Sequence, residues 1–170
     1  AFFVHPYDNY DIIAGQATAT MELLEAHPDL EYLFVPVGGG GLLSGAALAN
    51  AYFGSATLIG CEPTNASDAH ESFYSGHWVP VTTADTIADG LKTSLGKRNF
   101  PIIQSHVDEI SLVTEDEITE AWHFVLARLK QFIEPSAATG VAACLKKSAQ
   151  GKTGIILCGG NMDTQKWALR

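Results

Sequence analysis

The stretch Val35-Pro36-Val37-Gly38-Gly39-Gly40-Gly41-Leu42-Leu43-Ser44-Gly45 decides how this chain is read. An apolar, β-branched run stops at four consecutive glycines, and a helical pattern starts immediately after them. Four glycines at that junction leave a row of backbone N–H groups uncovered by any Cβ, at the positive end of a helix dipole. Such a row is an anion cradle, and phosphate is the group it suits. An ordinary tight loop is the plain alternative for a glycine run.

Three phosphate-binding designs compete for the loop. A nucleoside-triphosphate loop needs Lys and then Ser or Thr after its last glycine, and Leu42 and Leu43 stand there instead. A dinucleotide fingerprint needs glycines at its first, third and sixth places. Counted from Gly38 the sixth place is Leu43, and counted from Gly39 it is Ser44. That design stays open because Glu62 follows the next strand-like run, Thr57-Leu58-Ile59-Gly60-Cys61, where a ribose-binding acid belongs. The third design is a compact cradle for a single terminal phosphate.

Around the loop the chain alternates helix and strand. Helical spacing runs from Ile12 to Ala26, and a buried strand from Tyr32 to Val37. A small-residue helix follows from Leu42 to Phe53, then a strand from Thr57 to Cys61 and a short helix from Ser67 to Ser75. Asn99 to His106 reads as a further short helix and Ile110 to Val113 as a strand. Thr114, with Glu117 three residues on, forms a capping box that opens a long helix to about Phe132. Pro135 opens the last helix, to about Ser148, and Thr153 to Leu157 is the last strand. The fold class expected is therefore α/β: a parallel twisted sheet with helices on both faces, in one domain. Ligands of such sheets sit beyond the carboxyl ends of the strands, so the glycine loop, Glu62 and Cys158 are expected along one edge.

Composition narrows the function classes. A chain of 170 residues, 46% hydrophobic, buries one real core. The formal net charge of −9 argues against nucleic acid and against an anionic membrane surface. No apolar run reaches the roughly 20 residues that a membrane span needs, and no signal-peptide pattern opens the chain. Cys61, Cys144 and Cys158 are odd in number and widely spaced, which reads as free thiols in a reducing, cytoplasmic setting.

The glycine stretch resembles the tetraglycine loop of the tryptophan-synthase-type (fold type II) pyridoxal-phosphate enzymes, most of all the serine/threonine dehydratases and serine racemases. Further segments agree in the family's order: Ile13-Ala14-Gly15-Gln16, Cys61-Glu62-Pro63-Thr64-Asn65-Ala66, Ile87-Ala88-Asp89-Gly90, Val113-Thr114-Glu115-Asp116-Glu117-Ile118, Ile133-Glu134-Pro135-Ser136 and Cys158-Gly159-Gly160-Asn161. Together they cover nearly the whole chain, but only the second part of such an enzyme.

The resemblance implies that Gly38, Gly39, Gly40, Gly41 and Leu42 hold the phosphate of pyridoxal phosphate. It implies that the Asp89-Gly90 segment, with Ser94, closes on the cofactor from the side. Glu134 matches a glutamate near the cofactor ring, although an acid ahead of Pro135 at a helix start also serves the helix dipole. Cys158 matches a Ser or Cys that hydrogen-bonds the pyridine nitrogen. A weak neutral donor there leaves the nitrogen unprotonated, which suits β-elimination. The other reading of Cys158 is a small thiol packed at a strand end.

Glu62 and Asp68, with the Ala66 carbonyl between them, offer two carboxylates and an oxygen to a hard cation such as Mg²⁺ or Ca²⁺. The matching positions bind a divalent activator in racemase-like members, while a solvated acidic loop with an N-cap at Ser67 is the alternative. His70 and His77 have no zinc spacing and read as surface histidines. Lys130 and Asn161 match positions that touch a nucleotide effector in animal serine racemases, although a lysine late in an amphipathic helix is commonly just solvated.

No catalytic residue is expected in this chain. The family carries its Schiff-base lysine in an N-terminal Ser-Phe-Lys type motif, and Lys92, Lys97, Lys130, Lys146, Lys147, Lys152 and Lys166 all lie in other contexts. That absence, and an opening at Ala1 directly in family-like sequence, suggest a fragment. The expected activity is loss of water from a small β-hydroxy amino acid to give a keto acid and ammonia, or racemisation of serine. The intact enzyme is expected to be a homodimer acting on a small amino-acid substrate. A dinucleotide-binding domain and a non-catalytic binding module are the competing functions.

Overall fold

The computed structural model describes residues 3–161. Helix α1 (Tyr10–Ala26) starts where the Asn9 side chain accepts from the N–H groups of Asp11 and Ile12. Strand β1 (Tyr32–Pro36) runs into the glycine loop, and α2 (Gly41–Phe53) leaves it. Strand β2 (Thr57–Pro63) follows, then a 3₁₀ turn (Thr64–Ala66) and α3 (Asp68–Ser75). After a 3₁₀ turn at Asp89–Leu91 come α4 (Asn99–His106), β3 (Glu109–Val113), α5 (Glu115–Leu129), α6 (Pro135–Lys147) and β4 (Thr153–Ile155).

The four strands form one sheet in the order β3-β2-β1-β4, and every neighbouring pair is parallel. Strand β1 is central: Phe34 is opposite Ile59 on one side and Ile155 on the other. Its residues alternate between two cores, as a strand buried on both faces requires. Leu33, Val35 and Val37 pack with Leu24, Ala46 and Ile103 beneath α1, α2 and α4. Phe34 packs with Ile59, Val125 and Ala138 beneath α5 and α6.

Small residues let the layers close. A Cβ at Gly45 would sit 2.6 Å from the Ile13 carbonyl oxygen, so α1 and α2 cross with backbone almost touching. Asn50 locks the turn from α2 into β2, donating to the Ala56 carbonyl at 2.7 Å and accepting from the Ala56 N–H at 3.2 Å. The expected alternation and parallel sheet are found. Several ends differ from expectation: α1 begins at Tyr10, β2 runs on to Pro63, α5 stops at Leu129 because Lys130 turns left-handed (φ 56°), and β4 is regular only to Ile155.

Candidate functional site

The glycine loop lies at the carboxyl end of β1. Gly40 takes φ +88°, a left-handed conformation that favours glycine, and caps the start of α2 through its backbone alone. Among the described residues, no protein acceptor meets the N–H groups of Gly38, Gly39, Gly40, Gly41 or Leu42. They are therefore free to bind an external anion at the helix N-terminus. The loop has no room for side chains. A Cβ at Gly38 would meet the Leu91 Cα at 2.9 Å, and one at Gly39 would fall inside the Tyr7 ring.

These glycines form one end of a cleft of about 400 Å³, and Gly90, Glu134, Ser136 and Cys158 line it as well. Each is brought there by a specific tether. The Trp122 indole donates to the Ile133 carbonyl at 2.7 Å, which ties the start of α6 to α5. The Glu134 N–H donates to the Gly159 carbonyl at 3.2 Å, and the Asn161 N–H donates to the Glu134 carboxylate at 3.0 Å. Gly159 is left-handed (φ +105°), and a Cβ there would press on the same carboxylate at 2.5 Å. Gly90 donates its N–H to the Ser136 hydroxyl at 3.0 Å, and a Cβ on it would sit 3.0 Å from Glu134 Oε1. The Cys158 thiol is exposed at the cleft.

Glu62 stands at the same carboxyl edge of the sheet, beside the end of β1, but outside the cleft. It belongs to β2, is 1% exposed, and does not line the cleft. Its two carboxylate oxygens accept from the N–H groups of Ala69 (2.9 Å) and His70 (2.8 Å), so Glu62 caps α3, whereas the Ser67 side chain makes no such bond. Burial pushes the Glu62 carboxyl up to about 8 against the pull of those two donors. This cap weakens the dinucleotide reading, because both carboxylate oxygens are committed to the start of α3 and not offered to a ribose. Asp68 accepts from the Leu95 N–H at 2.7 Å, and burial raises its carboxyl too. It borders a separate polar cavity of about 370 Å³ with Glu71 and Asp85. Among the described residues, no cluster of three or more His, Cys, Asp or Glu side chains is arranged for a metal.

Lys130 and Asn161 are both exposed; Asn161 is engaged with Glu134, and Lys166 lies outside the described residues. Tyr7 and Ser136 were not singled out by the sequence. Tyr7 stands in an irregular segment with no periodicity to mark it, and Ser136 gave no sign that its hydroxyl would meet Gly90.

The family model described as "Pyridoxal-phosphate dependent enzyme" matches residues 1–159. The chain belongs to this family. It is 45% identical over 170 residues to the L-threo-3-hydroxyaspartate ammonia-lyase of Saccharomyces cerevisiae, covering 97% of this chain and 52% of that protein. It is 45% identical over 168 residues to the serine racemase of Dictyostelium discoideum, covering 94% of this chain and 52% of that protein. The crystal structure of the Dictyostelium serine racemase superposes with a TM-score of 0.87 at 44% identity, over 94% of this chain and 53% of that one. The crystal structure of a T.th. threonine deaminase gives 0.89 at 39% identity, over 94% and 62%. The chain spans about half the length of the curated relatives it matches.

The cleft suits the family's cofactor on its own terms. Five N–H groups without a protein acceptor among the described residues match a phosphate, and a thiol and a tethered carboxylate share the same space. Among the described residues, no helix is long and apolar enough to cross a membrane.

Proposed function

We propose that this chain is the phosphate-binding part of a pyridoxal-phosphate-dependent enzyme that removes water from a small β-hydroxy amino acid or racemises serine. The observation that carries the proposal is one cleft shared by the free glycine-loop N–H groups, Gly90, Glu134 and Cys158. When bound, pyridoxal phosphate supplies an electron-withdrawing ring that acidifies the substrate Cα–H. The N–H groups of Gly38 to Leu42 hold the phosphate against the α2 dipole. The Cys158 thiol offers the ring nitrogen a weak neutral hydrogen bond, and Glu134, fixed by Asn161, borders the ring. In this reading the proton-abstracting lysine comes from outside this chain, in keeping with a span of about half the relatives' length. The intact enzyme is a homodimer in a reducing compartment, a placement supported by three free thiols.

Titration of the protein with pyridoxal phosphate, followed by its absorption, tests the reading against a parallel titration with NADH followed by fluorescence. Binding of pyridoxal phosphate alone is expected, and a response to NADH alone would favour the dinucleotide alternative.

A divalent cation at Glu62, Asp68 and the Ala66 carbonyl is a second, separate proposal. Its support is two buried carboxylates close in sequence, Glu62 accepting one amide on each oxygen and Asp68 accepting from Leu95, with lone pairs left over on each. Millimolar Mg²⁺ or Ca²⁺ should raise the melting temperature in the parent but not in Glu62→Ala. Lys130 and Asn161 remain proposed nucleotide-effector positions, supported by their exposure and by the family resemblance alone.

A further inference from the structure

The geometry points to Asn99 as the positioning residue of the phosphate cradle, the side chain that aims the Gly40 N–H at the bound anion. This inference rests on the phosphate reading given above. Asn99 is completely buried, yet it sits at the first residue of α4, some sixty positions beyond the loop. Its Nδ2 donates to the Gly39 carbonyl at 2.7 Å and to the Tyr7 carbonyl at 3.1 Å. Both partners are pure acceptors, so the orientation of the amide is settled by chemistry.

The Gly39 oxygen also accepts from the Gly96 N–H at 2.9 Å, which leaves that carbonyl held from two sides. In a planar trans peptide the carbonyl and the following N–H point in opposite directions. Fixing the Gly39 oxygen towards α4 therefore turns the Gly40 N–H away from α4, and that N–H has no protein acceptor among the described residues. Gly39 and Gly40 both line the cleft.

Two further facts show that the site is built around this amide. A Cβ at Gly96 would lie 2.6 Å from Asn99 Nδ2, so glycine at 96 clears its space. Asn99 Oδ1 is buried with no partner among the described residues. A buried carbonyl left unsatisfied is unfavourable, and an apolar residue of similar size would avoid it. The donor end of the amide is what the fold retains, and its shortest bond is the one to Gly39.

The test uses the full-length protein without cofactor, labelled with ¹⁵N at glycine, and titrates inorganic phosphate, pyridoxal 5′-phosphate and pyridoxal. In the parent, phosphate should shift the Gly40 amide resonance, and pyridoxal 5′-phosphate should bind more tightly than pyridoxal. Asn99→Leu keeps the volume and removes the donor. It should weaken pyridoxal 5′-phosphate by roughly tenfold or more, as expected for one misdirected charge-assisted bond, and leave pyridoxal nearly unchanged. Its Gly40 resonance should no longer respond to phosphate, and Asn99→Ala should behave alike. An equal loss of both ligands, or a retained Gly40 shift in the variants, would overturn the role of Asn99. A silent Gly40 amid shifting Gly38, Gly39 and Gly41 in the parent would overturn it without any variant. A parent that does not prefer the phosphorylated ligand would overturn the cradle itself, and the role of Asn99 with it.

Discussion

Gly39 is held between two demands: its N–H has no protein partner among the described residues, and its Cα is pressed against the Tyr7 ring. Any side chain there must displace the ring or the loop. Gly39→Ala should therefore cost about 1–3 kcal/mol of stability by overpacking. Gly39→Val with Gly40→Val should also abolish phosphate-dependent binding of the cofactor; unchanged affinity for pyridoxal phosphate would refute the cradle. Cys158 makes the opposite kind of prediction, because its thiol is exposed at the cleft and a hydroxyl makes the same neutral hydrogen bond. Cys158→Ser should keep most of the activity of the full-length protein. Cys158→Asp should protonate the ring nitrogen and shift racemisation relative to elimination. An inactive Cys158→Ser beside a Cys158→Asp with unaltered absorption and product ratio would remove the thiol from the ring.

The elements show which signals in the sequence were local and which were not. The capping box was legible because both of its partners lie within four residues: the Glu117 N–H donates to Thr114 Oγ1 at 3.3 Å, and the Thr114 N–H to the Glu117 carboxylate at 2.7 Å. Thr114→Ala should cost about 1 kcal/mol in urea unfolding. Burial alone would raise the Glu117 carboxyl, but the Thr114 N–H and Lys146 outweigh it and hold the group below the ordinary carboxylate range. A depressed value contributes stability that is present above the unfolded pKa and lost as pH falls through the folded one. Glu117→Gln should therefore flatten the stability profile on the acid side of the carboxylate range, and leave its slope near neutrality as it was. The early end of α5 was not legible, since nothing in Leu129-Lys130-Gln131 marks a left-handed turn. The cap that Glu62 provides was hidden for a related reason: its acid character and its place at the carboxyl edge of the sheet were visible, but its partners, the amides of Ala69 and His70, exist only once α3 folds back on β2.

Across the molecule, the parallel sheet could be read from alternation, and the glycine loop from its composition, because both are patterns of neighbouring residues. The cleft is a pattern of distant ones. Tyr7, the loop, Gly90, Glu134 and Cys158 reach it from before α1, after β1, ahead of α4, ahead of α6 and after β4. Their resemblance to a known family grouped most of them, whereas Tyr7, Asn99 and the bond from Gly90 to Ser136 emerged only from packing. This dispersal has a thermodynamic consequence. The loop rests on the core beneath α1 and α2, while Glu134 and Ser136 open α6, which belongs to the core on the other face of the sheet. A ligand in the cleft therefore joins both cores and should stabilise them as one unit. At a hundred times its Kd, pyridoxal phosphate should add about 2.7 kcal/mol, a rise of roughly 5–10 °C in melting temperature for a domain of this size. Pyridoxal at the same concentration should give a much smaller rise, because it leaves the glycine N–H groups unbound. Calorimetry of the full-length protein checks this. Equal shifts with the two ligands would mean that the phosphate is not held by the loop. If the heat of unfolding of this region divided into two transitions, only one of them moved by the ligand, the cleft would belong to one face of the sheet and the coupling argued from its lining would be wrong.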